Sequence, residues 1–319
     1  MGMIGSLFGY GGKKYPPEVL FAIDRAVSAV EPLLKQSSGY PRDFRMPVIS
    51  ALEYTRNLAE KIPGPVAVDR ESYAKDAYVH ILFPAIDSIS EAVCSSLALQ
   101  DYLQDHPAID ELYALMGMRR FEKLMAGMEL SGQTLQRDVV QRVVYFTSHT
   151  LEAPACSEQQ AREQVASGFF DCLARKVKER VVARKQNKES LLVEKELLRA
   201  RLHNANELDK PALEEELDKV MSNIQSTIGS LELGNYVAEF EAVMLNPEQY
   251  LYLDPKPVTL DSMGVRREDG GATQGKEFVF NELIGYDRRD WTVTMVRCNN
   301  LQSESFAERL DKAYRRLVI

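Results

Sequence analysis

The sequence has few of the features that identify secreted, membrane-spanning or metal-binding proteins. It contains four cysteines and one tryptophan in 319 residues, and no two cysteines have the close spacing of a zinc knuckle or a redox motif. A chain of this length needs no disulfide framework, so we expect reduced thiols. No segment reaches the roughly 18 uninterrupted apolar residues of a membrane-spanning helix. These absences favour a cytoplasmic protein without a transmembrane segment.

The motifs of the common enzyme classes are also missing. The sequence has no phosphate-binding P-loop, no dinucleotide-binding glycine pattern, no nucleophile elbow and no His-Glu-x-x-His sequence. It therefore predicts no catalytic residue, no metal ligand set and no cofactor. This favours a non-enzymatic protein, although an enzyme without a recognisable motif stays possible.

The composition is that of a folded protein with an excess of acidic residues. Hydrophobic residues make up 45% of the chain and charged residues 27%, which is ordinary for a globular protein. The formal net charge is −8. This balance argues against a dedicated nucleic-acid coat protein, but it leaves room for a local basic patch.

The first half of the chain predicts a mainly α fold. Residues 1–15 are rich in glycine and predict a flexible leader. Residues 16–152 show apolar side chains at steps of three and four, interrupted by proline and glycine, which predicts an α-helical bundle. Within it we expect one long helix over residues 72–104 and shorter helices at about 108–128 and 135–148.

Residues 157–245 predict a long antiparallel, coiled-coil-like helical hairpin. The first arm begins at a capping box formed by Ser157 and Gln160. The reversal falls on residues 204–211, because asparagine and proline disfavour a helix there. The second arm has a heptad-like apolar seam, made of Leu213, Leu217, Val220, Ile224, Ile228 and Leu231. A single rod that dimerises in parallel is the alternative, and it requires residues 204–211 to be helical.

The last part of the chain, residues 246–319, predicts a small α+β module. Its β-branched and aromatic residues predict a small antiparallel β-sheet with strands near 258–265, 278–280 and 291–296. Ser305 begins a final predicted helix.

The first arm of the hairpin carries a basic tract between residues 175 and 188. Its seven cations are Arg175, Lys176, Lys178, Arg180, Arg184, Lys185 and Lys188. An acidic cluster over residues 207–218 lies on the other arm, offset along the hairpin by roughly 25 Å. Because this offset exceeds the screening length of about 8 Å, we expect the cations to be available to a partner.

Three interpretations of the basic tract stay open: a solvated helix face, a surface for a protein partner, and a nucleic-acid surface. The cations spread around the helix and no aromatic side chain lies among them, which disfavours nucleic acid. The leading hypothesis is a cytoplasmic, non-enzymatic interaction or scaffold protein that binds a protein partner or forms a homo-oligomer through a protruding hairpin. A nucleic-acid accessory protein that uses residues 175–188 is the first alternative.

A second alternative is a helical-bundle metalloprotein. On one helix over residues 72–104, the side chains of Asp76, His80, Asp87 and Glu91 would share an arc of about 60°. A bundle metal site also needs ligands from facing helices, and no such pattern is visible. A polar helix stripe is therefore the favoured interpretation of these four residues.

Overall fold

The computed structural model describes residues 16–131, 134–206, 209–230, 233–267, 275–287 and 290–299. The predicted leader and the predicted final helix lie outside the described residues. The chain divides into two compact units. The first unit comprises the residues up to Tyr54 together with Phe169–Tyr250, and the second comprises Thr55–Gly168 together with the residues from Leu251 onwards.

The described residues form nine α-helices and six β-strands. The helices are α1 (Pro17–Val30), α2 (Arg45–Glu60), α3 (Arg70–Lys75), α4 (Ala77–Leu82), α5 (Ile86–Ser95), α6 (Leu97–Asp105), α7 (Glu158–His203), α8 (Lys210–Ser230) and α9 (Leu233–Met244). The strands are β1 (Val66–Ala67), β2 (Leu112–Ser131), β3 (Thr134–Ala155), β4 (Tyr252–Leu260), β5 (Lys276–Ile284) and β6 (Asp290–Cys298). None of these helices is long and apolar enough to cross a membrane.

The first unit is helical and has an aromatic contact at its centre. α1 ends at Val30, and a short 3₁₀ helix over Pro32–Gln36 follows it, because a proline cannot continue the α-helical hydrogen bonding. Phe44 packs edge-on against Phe240 of α9, with ring centroids 5.0 Å apart. Both rings are fully buried, so this contact ties α9 to the start of α2.

α7 and α8 fold back against each other within the first unit. α7 ends at His203 and α8 begins at Lys210. The side-chain amide of Asn204 donates a 3.1 Å hydrogen bond to the backbone carbonyl of Ala200 at the end of α7. The side chains that join the two helices are Leu191, Leu198, Leu213, Leu217, Val220 and Ile224. Three of these six are buried, so among the side chains that the structure describes, the contact between the two helices has a small buried core.

The second unit contains a six-stranded sheet, and this makes the predicted fold class wrong. The strand order is β3-β2-β6-β5-β4, with antiparallel neighbours throughout, and β1 pairs in parallel with β6. Strands make up 26% of the structure. The chain is therefore not mainly α with a small C-terminal sheet, and the predicted helical bundle over residues 16–152 does not form as such.

Residues 112–155, where helices were predicted, form the two longest strands. β2 is rich in leucine, methionine and alanine, which favour helices in isolation. In the structure its alternate residues Leu112, Ala114, Met116 and Met118 are all at most 1% exposed, which is the two-residue period of a strand. Pairing with β3 and β6 therefore outweighs the local helix preference of β2.

Residues 264–267 join the two outer strands of the sheet. The backbone N–H of Arg266 donates to the carbonyl of Arg142 in β3 at 2.8 Å, and that of Arg267 donates to the carbonyl of Thr259 in β4 at 2.9 Å. Asp261 fixes this connection by accepting hydrogen bonds from the backbone of Val265 and from the Arg267 guanidinium. The sheet is thus strongly curved, and parts of both edges are paired.

Four short helices form in place of the single helix predicted over residues 72–104, and three of them, α4, α5 and α6, pack on one face of the curved sheet. Asp69, Asp76 and Ser96 each accept a backbone hydrogen bond from the first turn of the next helix. Such short polar side chains stabilise helix starts and divide the segment. Apolar residues of α4, α5 and α6 form one core with Phe146 and Phe280, whose rings lie 5.0 Å apart.

Candidate partner-binding surface

The basic tract lies on α7, and the sequence explains why this helix is so long. Its start is capped, because the hydroxyl of Ser157 accepts a 3.3 Å hydrogen bond from the backbone N–H of Gln160. The 46 residues of α7 include no proline and only Gly168 as a helix-weakening residue, so nothing interrupts it. All seven predicted cations belong to the part of α7 in the first unit.

Two of the seven cations bind a buried carboxylate on α9. Glu239 is 5% exposed and accepts a 2.9 Å hydrogen bond from Nε of Arg184. Arg180 forms an ion pair with the same carboxylate and donates a 2.8 Å hydrogen bond to the hydroxyl of Tyr250. Arg180 and Arg184 therefore stabilise the packing of α9 on α7.

Two further cations have carboxylate partners within the first unit. Lys185 forms an ion pair with Glu31, and this hydrogen bond lowers the pKa of Glu31 and raises the pKa of Lys185. Lys176 pairs with Glu179 at 3.4 Å. The expectation that the tract as a whole is available to a partner is therefore too broad, because four of its seven cations have internal ion pairs.

The other three cations, Arg175, Lys178 and Lys188, form no ion pair with any carboxylate that the structure describes. Arg175 and Lys178 are exposed, and Lys188 is half-buried. Lys188 lines an open groove of about 440 Å³ together with Lys185, Leu192 and Tyr236. The positive charge that the tract offers to a partner is thus concentrated in three side chains.

α7 also carries an exposed apolar stripe, which we call the outer stripe and define as Val182, Val193 and Leu197. These side chains are 38%, 70% and 52% exposed. At 100° per residue they fall within an arc of about 60°. Leu191 and Leu198, which pack against α8, point to the opposite side of the helix. The outer stripe is therefore an apolar surface additional to the contact between α7 and α8.

The four residues of the predicted metal stripe do not share one helix. Asp76 lies between α3 and α4, where its carboxylate accepts a hydrogen bond from the backbone of Tyr78. His80 lies on α4, and Asp87 and Glu91 lie on α5. Within the described residues, no three His, Cys, Asp or Glu side chains are grouped closely enough to hold a metal ion. The alignment on which the metalloprotein alternative depended is therefore absent.

Sequence reasoning missed Glu239 and Glu31, the internal partners of the tract. A signal for Glu239 was present, because Tyr236, Phe240 and Val243 form an apolar helix face and Glu239 lies on that same face. A carboxylate on a buried face requires a cationic partner. Glu31 had no comparable signal, since it lies between two helices and is far from Lys185 in the sequence.

Comparison of the chain with protein-family models, with curated proteins and with solved structures gives no match in any of the three. A functional assignment therefore rests on the chemistry and geometry of the described residues.

Proposed function

We propose that this is a non-enzymatic protein-interaction protein that binds a partner through the outer stripe of α7. The observation that supports this function is the exposure of Val182, Val193 and Leu197 on a helix whose other side is already packed. Exposed apolar residues aligned on one helix face are typical of helix–helix recognition. We also propose a cytoplasmic location, because none of the four cysteines is in a disulfide and reduced thiols are usual there.

The chemistry around the outer stripe indicates the kind of partner. Arg175 falls in the same arc of α7 as Val193, and Lys178 falls about 60° to one side. Neither has a carboxylate partner among the described residues. An amphipathic helix that places apolar residues on the outer stripe and carboxylates beside Arg175 and Lys178 would complement both features.

The size of the outer stripe sets an expected affinity. Three partly exposed aliphatic side chains offer on the order of 300 Å², which is small beside the roughly 800 Å² per partner of a standard interface. We therefore expect reversible binding with a Kd in the micromolar range. The electrostatic contribution from Arg175 and Lys178 predicts that binding weakens as salt concentration rises.

The nucleic-acid alternative has weaker support than a protein partner. Arg180 and Arg184 share Glu239, and Lys185 pairs with Glu31, so phosphate binding would have to compete with these ion pairs. Three cations remain for a phosphate backbone, which predicts weak binding to DNA or RNA at physiological salt.

The test compares two double variants that add the same charges at the same spacing. V193E/L197E places two carboxylates on the outer stripe, whereas A183E/N187E places two carboxylates on an exposed part of α7 about 80° away. Each purified chain is used to capture proteins from an extract of its host, and a photo-crosslinker at position 182 maps what lies on the stripe.

The proposal predicts that one protein crosslinks to the chain from position 182. The A183E/N187E variant should still capture this protein, and the V193E/L197E variant should not. A peptide of its crosslinked helix should then bind the wild-type chain, and less tightly at high salt. The proposal is overturned if V193E/L197E captures the same proteins as the wild type. It is also overturned if the only retained material is nucleic acid.

A further inference from the structure

The β2–β3 hairpin continues beyond β6 as a ribbon, which comprises residues 119–131 and 134–147. Residues 264–266 pair with the outer edge of β3 near Val143, whereas β2 forms the other edge. β2 pairs with β6 only up to Met118, whereas its pairing with β3 continues to Ser131. From residue 123 onwards, no described residue outside β3 forms a backbone hydrogen bond with β2. Among the residues that the structure describes, this part of β2 is therefore an open strand edge.

Large apolar side chains are exposed on both faces of the ribbon. They are Phe121, Leu124, Met125, Met128, Val140 and Tyr145, each between 39% and 69% exposed. Successive residues of a strand point to opposite faces. Leu124 and Met128 therefore lie on one face of β2, and Phe121 and Met125 lie on the other. Both sides of the open edge are thus apolar.

The exposed apolar area is large for a surface without a partner. At about 200 Å² for a side chain of this size, the six residues expose on the order of 600 Å². This reaches the upper end of the apolar patches found on monomers, which are usually functional at that size. The four side chains on β2 itself account for about 430 Å² of this area, roughly half of the 800 Å² that each partner contributes to a standard interface.

We propose that the open edge of β2 pairs with the same edge of a second copy of this chain. An antiparallel pair of β2 strands about a two-fold axis gives a continuous four-stranded sheet, in which each copy supplies the hydrogen-bonding groups that the other lacks. Phe121, Leu124, Met125 and Met128 lie on β2 itself, so all four gain neighbours from the second copy.

The charges on the edge fit this pairing. Glu122 and Lys123 are the charged residues between positions 121 and 128, and Glu122 already lies 3.5 Å from Arg142 and from Arg266. With the two-fold axis at Leu124 or at Met125, Glu122 and Lys123 each face an uncharged residue of the other copy. No pair of like charges then opposes the association.

The test measures the mass of the full chain by light scattering and sedimentation at several concentrations. We expect a dimer at about 50 µM. The variant L124E/M125E puts two added carboxylates per copy at the two-fold axis and should weaken dimerisation at least about tenfold. The variant L124K/M125K should do the same, and an equimolar mixture of the two variants should recover the dimer.

Two control variants separate this ribbon from other surfaces. V140E adds a carboxylate to β3, away from the β2 edge, and V193E/L197E changes the outer stripe of α7, so both should dimerise like the wild type. The proposal is overturned if the wild type is monomeric at this concentration, if L124E/M125E remains a dimer, or if V193E/L197E alone abolishes the dimer. Failure of this test leaves the proposed partner binding by α7 unaffected.

Discussion

Replacing Glu239 with glutamine tests whether Arg180 and Arg184 act in folding. The E239Q substitution keeps the size of the side chain and removes its charge. Breaking a buried ion pair by removing one partner costs about 3–5 kcal/mol when both groups are buried. Arg180 and Arg184 are 36% and 38% exposed and regain part of their hydration. We therefore expect a loss of about 2 kcal/mol in the free energy of unfolding.

Thermal unfolding followed by far-ultraviolet circular dichroism measures this loss. For a unit of this size, 2 kcal/mol corresponds to a decrease in Tm of about 6 °C. Hydrogen exchange localises the effect, and peptides from α7 and α9 should exchange faster. The single tryptophan, Trp291, lies in the second unit, so its fluorescence follows the sheet separately.

The matched control is E179Q, which makes the same chemical change on the surface. Glu179 is 51% exposed and lies 3.4 Å from Lys176, so its replacement should cost less than about 0.5 kcal/mol. If E239Q lowers Tm no more than E179Q does, Arg180 and Arg184 are not held by Glu239 in solution. They would then return to the set of cations available to a partner.

Three further predictions concern the second unit and are read from urea unfolding. R162M leaves four backbone carbonyls without the guanidinium that contacts them, and should cost about 3 kcal/mol; an unchanged midpoint contradicts this. G64A should cost at least about 1–2 kcal/mol, because Gly64 has φ +105° and a Cβ would overlap the Met295 carbonyl; normal stability refutes it. Burial lowers the pKa of His149, so wild-type stability should fall as pH drops below about 6.5. In H149Q the free energy of unfolding should depend less on pH in this range. An equal slope of unfolding free energy against pH in the wild type and in H149Q would show that His149 does not contribute.

The end of α7 and the start of α8 were within reach of the sequence. Ser157 marks the start of α7, and asparagine with proline marks the boundary between α7 and α8. The strands β5 and β6 could also be predicted, because Phe278–Phe280 and Trp291–Val296 are dense in aromatic and β-branched residues. These signals come from residues that are neighbours in the sequence, so they can be recognised without knowledge of the tertiary fold.

The β2–β3 hairpin was not predicted, for an identifiable physical reason. β3 carries a strand signal in Val139–Val140 and Val143–Phe146, and the sequence has a glycine directly after Ser131. β2, however, consists largely of helix formers, and its strand conformation depends on pairing with β6, far away in the sequence. The two-residue period of buried apolar side chains in β2 could not be recognised in the sequence, because many of the intervening residues are apolar as well.

The candidate surface was only partly predictable. The basic tract was visible in the sequence, but its division into paired and unpaired cations depends on Glu31 and Glu239, which the fold brings to α7. The outer stripe was also missed. Its members are separated by charged residues, and no seam is recognisable without knowing which side of α7 packs against α8.

Photo-crosslinking from position 193 inside the living host tests the central claim most directly. A crosslinker there should give one dominant adduct with a single protein, and the same crosslinker at position 187 should not give that adduct. Absence of an adduct at position 193, or the same set of adducts from both positions, would contradict the assignment of the outer stripe as a partner-binding surface.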